Sequence, residues 1–185
     1  MASLGAKVMQ PHSIQDARLN RVDIEVKNSF KNISGSLITK KNNISKKNII
    51  RGVSFTKNDA KVTLVGVKDR PGVAAAIFEP LFKNSINVDM VVQNISSNKK
   101  ETDLTFTIKN DDLIKSKKLI KLNKKIKFKK IVTDEDVSKV SIIGVGMITT
   151  PGVTYRMFNA LAKKNINIQV ISTSEIKISV LVKQK

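Results

Sequence analysis

Two short loops carry the residues best suited to chemistry, Asp69-Arg70-Pro71-Gly72-Val73 and Thr149-Thr150-Pro151-Gly152-Val153. Each runs into an apolar helical pattern. A loop entering a helix offers unpaired backbone N–H groups at the positive end of the helix dipole, which suits a carboxylate or a phosphate. Gly72 and Gly152 allow a ligand close to the backbone. On the strand predicted after the first helix, Asn87, Asp89, Gln93 and Asn94 interrupt a β-branched run. Asp89 is an acceptor for an ammonium, and Asp69 in the loop reinforces that contact. Donors for a carboxylate beside an acceptor for an amine describe an amino-acid site. A plainer reading stays open, in which Asp69 and Thr149 cap helices and Asn87 and Asn167 end turns. No catalytic residues are expected, because there is no glycine-rich phosphate loop with lysine, no serine-histidine-acid set and no paired carboxylates at a convincing spacing.

The two loops belong to one supersecondary unit written twice. Val62-Thr63-Leu64-Val65-Gly66-Val67 matches Val140-Ser141-Ile142-Ile143-Gly144-Val145 at an offset of 78 residues, and Pro71-Gly72 through Ile86-Asn87 matches Pro151-Gly152 through Ile166-Asn167 at 80. Each copy reads strand, loop, helix, strand, a βαβ unit that must bury its helix on a sheet. Pro fits the first helical turn, where its missing N–H is not needed. Val73, Ala76, Ile77, Pro80 and Leu81, and Val153, Met157, Ala160 and Leu161, fall at helical spacing and are read as core stripes.

Further strands are predicted at Val22–Val26, Gly35–Thr39, Ile49–Phe55, Asp103–Ile108, near Lys127–Val132 and at Glu175–Val182, with a helix near Asp111–Leu122. Short helices are predicted around Ala2–Met9 and after Pro11. The remainder of Lys27–Asn48 reads as linker. The first unit is thus a complete βαββαβ. The second lacks its last helix and strand, which would leave part of its sheet uncovered and one edge open. Ile49–Phe55 is a candidate for the strand, and no segment is a candidate for the helix. The chain therefore reads as a fragment of something longer.

Composition narrows the function classes. Of 185 residues, 41% are apolar, enough for a core. With no cysteine and one histidine, His12, neither disulfides nor a zinc site is expected, and no metal ligands are assigned. No apolar run approaches the ~20 residues that span a bilayer, so a cytoplasmic protein without membrane contact is expected. The net charge is +19. Lysine supplies 29 of the 34 basic residues, and aromatics are 4%. Nucleic-acid surfaces rely on arginine forks and stacking aromatics, so the charge reads as compositional drift and no nucleic-acid partner is expected. The densest run, Lys115–Lys130, is predicted to be the solvated face of a helix and an edge strand.

Val62–Ser97 and Val140–Val182 resemble tandem ACT domains, the small-molecule regulatory modules of amino-acid biosynthesis. Within them, Asp89-Met90-Val91-Val92-Gln93-Asn94-Ile95-Ser96 and Val170-Ile171-Ser172-Thr173-Ser174-Glu175-Ile176-Lys177-Ile178-Ser179-Val180 resemble the regulatory region of aspartokinases. Ala2-Ser3-Leu4-Gly5-Ala6-Lys7-Val8 and Gly35-Ser36-Leu37-Ile38-Thr39 resemble the closing part of that family's kinase domain. The resemblance implies an α+β fold of two ferredoxin-like βαββαβ modules after a remnant of an α/β amino-acid kinase domain. The implied boundaries are 1–48 for the remnant and linker, 58–137 for the first module, and 49–57 with 138–185 for the second.

It also implies lysine and/or threonine as inhibitory effector, a homodimer through the modules, and an attached kinase domain or kinase-bearing subunit. Carried over by position, the first effector site comprises Asp69, Gly72, Val73, Ala74, Asn87, Val88, Asp89, Gln93 and Asn94. The second comprises Met147, Thr149, Gly152, Val153, Thr154 and Ser174, with Glu175 nearby. Ile148-Thr149-Thr150 departs from the more polar family loop. The family's Lys-Phe-Gly-Gly-Thr motif has no counterpart here, so no cofactor is expected in this chain, and ATP and magnesium belong to the kinase domain. Two alternatives are a stand-alone ACT-type regulatory subunit and a basic RNA-binding βαββαβ protein, the latter disfavoured because its strands offer Val, Ile, Asp and Ser where stacking aromatics are needed.

Overall fold

The structure is a computed structural model that describes residues 8–39, 49–95, 101–148 and 150–184. The helix expected around Ala2–Met9 and the loop residue Thr149 lie almost wholly or wholly outside them. In chain order the elements are α1 (Pro11–Leu19), β1 (Ile24–Val26), β2 (Ser36–Ile38), β3 (Gly52–Lys68), α2 (Val73–Lys83), β4 (Val91–Ile95), β5 (Glu101–Lys109), α3 (Leu113–Leu122), β6 (Lys130–Ile143), α4 (Val153–Ala162), β7 (Ile168–Thr173) and β8 (Lys177–Lys183). β1 and β2 form an antiparallel pair of their own.

The other six strands form one antiparallel sheet in the order β4-β5-β3-β6-β8-β7. Four strands predicted as separate pieces are here two long ones. Ile49–Phe55 and Val62–Val67 merge into β3, and Lys127–Val132 and Val140–Val145 merge into β6. β6 is therefore central, correcting the edge position expected for the end of the lysine run. Register shifts around Thr56, Asp59 and Lys61 let the two long strands stay paired through the junction. The arrangement gives the second unit its fourth strand: Gly52–Thr56 pairs with Ile143–Lys139, while Lys61–Val65 of the same strand pairs with Asp134–Lys130. Each half of the sheet then has the ferredoxin-like strand order.

All helices packed on this sheet cover one face. On the first half, α2 and α3 bury Val62, Leu64, Leu104, Phe106, Ile77, Leu81 and Ile120 in one core, with Phe78 edge-on to Phe106 at 5.4 Å between ring centroids. On the second half α4 alone packs over Ile142, Ile178, Val180 and Val182. No helix among the described residues covers Val53 and Phe55 of β3, and each is 61% exposed.

Pro80 sits inside α2. Having no N–H, it cannot bond the carbonyl of Ala76, and the side chain of Asn123 donates to that oxygen at 3.0 Å. This contact pins the α3–β6 loop onto α2. The two copies also end their helices alike. Ser85 and Asn165 take positive φ, and the amides of Ile86 and Ile166 reach back to the carbonyls of Leu81 and Leu161, each at 3.0 Å.

The helix-free face is polar. Thr63 bonds Thr105 and Ser141 bonds Ser179 through their hydroxyls, at 3.0 and 2.7 Å. The sheet curls toward this face so far that its two end strands meet, and Val92 and Asn94 of β4 line one cavity with Ile168–Ile171 of β7.

Candidate amino-acid site

The first loop opens into a cavity of about 370 Å³ lined by Asp69, Arg70, Gly72, Val73, Ala74 and Gln93, with Pro71 between. Gly72 is the residue before α2 and has φ +83, a left-handed conformation that side chains disfavour. A Cβ built there meets nothing within 4 Å, so the backbone is open on that side. No side chain caps α2, which removes the capping role considered for Asp69 and leaves first-turn amides available to a ligand's oxygens. Gln93 reaches this cavity because it pairs with Leu104 and so shares the helix-bearing face.

The strand directions separate the remaining candidates. β3 and β4 both run antiparallel to β5, so they are parallel to each other, and the loop after β3 lies at the C-terminal end of β4. Asn87, Val88 and Asp89, expected on that strand, instead precede β4, which begins only at Val91, and lie at its far end. Six residues of extended chain separate Asn87 from Gln93 by roughly 20 Å. Asn94 points to the other face, into the cavity shared with β7.

Asp89 is already engaged. Its carboxylate accepts a charge-assisted bond from Lys139 of β6, whose side chain is only 6% exposed and also lies 3.6 Å from Asp59. Asp59 in turn accepts from Lys109 at 2.7 Å and from the Thr56 hydroxyl. Two carboxylates and two ammonium groups thus balance across the junction between the two halves. Nearby, Lys61 bonds Gln169 of β7 and lies 3.7 Å from Asp134. Sequence reasoning missed Lys139 and Asp59. A lysine between Ser138 and Val140 in a strand buried on both sides is the signal for the first, whereas Asp59 falls between the strands expected at Ile49–Phe55 and Val62–Val67, in no expected element.

Burial opposes ionisation of Asp59, but the bonds from Lys109 and Thr56 and the charge of Lys139 outweigh it and hold its carboxyl below the usual range. With the folded value below the unfolded one, the stabilisation is complete above about pH 4 and is lost as pH falls through the folded value. Asp59→Asn should therefore flatten the acid limb of a stability–pH curve below about pH 4, measured by urea unfolding.

In the second copy Gly152 has φ +87 before α4, again with no side-chain cap. Val153 is buried in the core, while Thr154 is exposed and Met147 closes a 3₁₀ turn over Val145–Met147. Ser174 forms the β7–β8 turn with both its amide and hydroxyl on the Lys177 carbonyl. The Gly144 amide donates to the Ile176 carbonyl at 2.9 Å, so the turn holding Ser174 and Glu175 sits at the same end as the loop.

An ACT-domain family model matches residues 62–122 and 140–185. The regulatory subunit of aspartate kinase from Thermus thermophilus, solved in ligand-free form, is 34% identical, with a TM-score of 0.68 over 74% of this chain and 89% of that one. The chain belongs to the aspartokinase ACT regulatory family. An aspartate kinase from Pseudomonas fluorescens (strain SBW25) is 44% identical over all of this chain, which spans 45% of that relative's length. The aspartate kinase of Clostridium acetobutylicum, at 23% identity, shares the fold with a TM-score of 0.83 over 98% of this chain. This regulatory chain thus has the two ferredoxin-like α+β modules that the resemblance implied. No helix among its described residues is long and apolar enough to cross a membrane.

Proposed function

We propose that this chain senses lysine and/or threonine on behalf of an aspartate kinase domain, in the cytoplasm, and transmits feedback inhibition to it. The observation that supports this most is the concavity at the α2 N-terminus. It combines open helix amides for an α-carboxylate, the Asp69 carboxylate for an ammonium, and the Gln93 amide for a side chain.

That concavity holds only part of the expected first site. β4 is an end strand of the sheet. If two copies pair their β4 edges antiparallel across a twofold axis, the start of one β4 meets the end of the other. Asn87 and Val88 of one copy then face Asp69, Gly72, Val73, Ala74 and Gln93 of its partner. The homodimer is on this reading part of the site. Met147, Thr149, Gly152, Val153, Thr154, Ser174 and Glu175 form the corresponding set in the second module.

The modules are bounded at 58–137 and at 49–57 with 138–185, and residues 1–48 are the close of a kinase domain. ATP and magnesium serve that kinase domain. A stand-alone regulatory subunit is the second reading, favoured by the likeness to a protein that is itself such a subunit.

The test is thermal unfolding and sedimentation with millimolar lysine and threonine, separately and together. A rise in Tm with a shift to dimer is expected for at least one of them. Unchanged Tm and mass with both would overturn the proposal.

A further inference from the structure

A second concavity adjoins the amino-acid site and differs from it in charge. It has a volume of about 460 Å³ and lies between the β3–α2 loop and the α3–β6 loop, against the first turns of α2. Lys68, Arg70, Lys124, Lys125 and Lys127 line it, and no carboxylate does. Other lysines of this unit are matched: Lys83 with Glu79 at 2.6 Å and Lys109 with Asp59 at 2.7 Å. Among the described residues none of the five cations has a carboxylate ion-pair partner. Glu79, which feels the charge of Lys125, is itself bonded to Lys83.

The backbone that carries these charges is fixed. Arg70 donates to the Lys125 carbonyl at 3.0 Å, Asn123 holds the Ala76 carbonyl freed by Pro80, and the Lys125 amide returns to the Asn123 side chain at 3.1 Å. Five like charges around one preformed concavity repel each other, and an anion relieves that repulsion. Lysine ammonium groups act as point charges toward phosphoryl oxygens. A concavity of this size fits a compact polyanion, whereas nucleic acid uses extended patches with stacking aromatics.

We propose that this cavity is a binding site for a small oligophosphate, a free polyphosphate or the phosphate chain of a nucleotide. The site is separate from the amino-acid concavity but shares Arg70 and Val73 with it.

The test is calorimetric titration of the full chain with sodium tripolyphosphate, then with ATP free of magnesium, at physiological ionic strength. Saturable one-to-one binding is expected. Lys68→Glu/Lys127→Glu should weaken it about tenfold or more, corresponding to ~1.4 kcal/mol. Lys118→Glu/Lys121→Glu on exposed α3, with the same change in net charge, should leave it within about twofold. Lys124→Gln/Lys125→Gln replaces the first pair if that pair fails to melt cooperatively. Binding of tripolyphosphate but not ATP would assign the site to free polyphosphate. Absence of saturation, equal weakening in both double variants, or tighter binding of a single-stranded RNA that displaces tripolyphosphate would overturn the proposal.

Discussion

Lys139→Met is expected to destabilise the chain by about 3–5 kcal/mol in urea unfolding, the largest effect of any single substitution outside the two cores. The methionine keeps most of the buried length of the side chain but removes the ammonium that faces both Asp59 and Asp89. Asp89 is half-exposed and can return to water. Asp59, with its side chain 4% exposed, cannot, and it keeps only Lys109 and the Thr56 hydroxyl. The cost is that of a buried carboxylate short of one cation, not the value of the ion pair itself.

The double variant Lys139→Met/Asp59→Asn should therefore recover much of the loss, with a coupling energy of about 1–3 kcal/mol in the cycle. Because Lys139 belongs to the second half of the sheet and Asp89 to the first, amide exchange should also quicken where the halves meet. A single variant within about 0.5 kcal/mol of wild type would show that the cluster carries no net buried charge.

Gly72→Val should abolish amino-acid binding at the first concavity while leaving the fold cooperative. The residue must hold φ +83, where a side chain costs roughly 1–2 kcal/mol, and β-branching adds to the strain. The added methyl groups enter the open space bordering the cavity, since nothing lies within 4 Å of the Cβ position. Calorimetry should find the effector heat lost or reduced to that of the second module, with Tm lowered by several degrees. Gly152→Val, at φ +87, makes the same test in the second copy. Wild-type binding in both would mean that the ligand does not approach these loops.

Much of this was legible in the residues. The repeat, the Pro-Gly loops, the helical stripes and the strand pairs gave the fold, because period-two and helical spacing reflect burial on one face of each element. The merging of strands was not legible. Thr56–Asp59 is polar and looks like a loop, and only pairing with β6, together with a buried cation for Asp59, makes it strand. The site was legible in half. Asp69, Gly72, Val73, Ala74 and Gln93 converge, but nothing local tells that Asn87 and Asn94, close in sequence to Gln93, leave that site, one to the far end of β4 and the other to the opposite face. The role of Asp89 depends on Lys139, 50 residues away in sequence, a distance over which no motif speaks.

The dimeric site is tested most directly by complementation. Gly72→Val spoils the loop half of the site and Asn87→Ala the strand half, so each variant alone should bind no effector at the first module. Unfolded and refolded together in equal amounts, they form mixed dimers in which one site has both wild-type halves. Calorimetry on the mixture should recover about one site in four, while neither variant alone recovers any. No recovery in a mixture shown by native mass spectrometry to contain mixed dimers would mean that each site is built within a single chain, and would contradict the account.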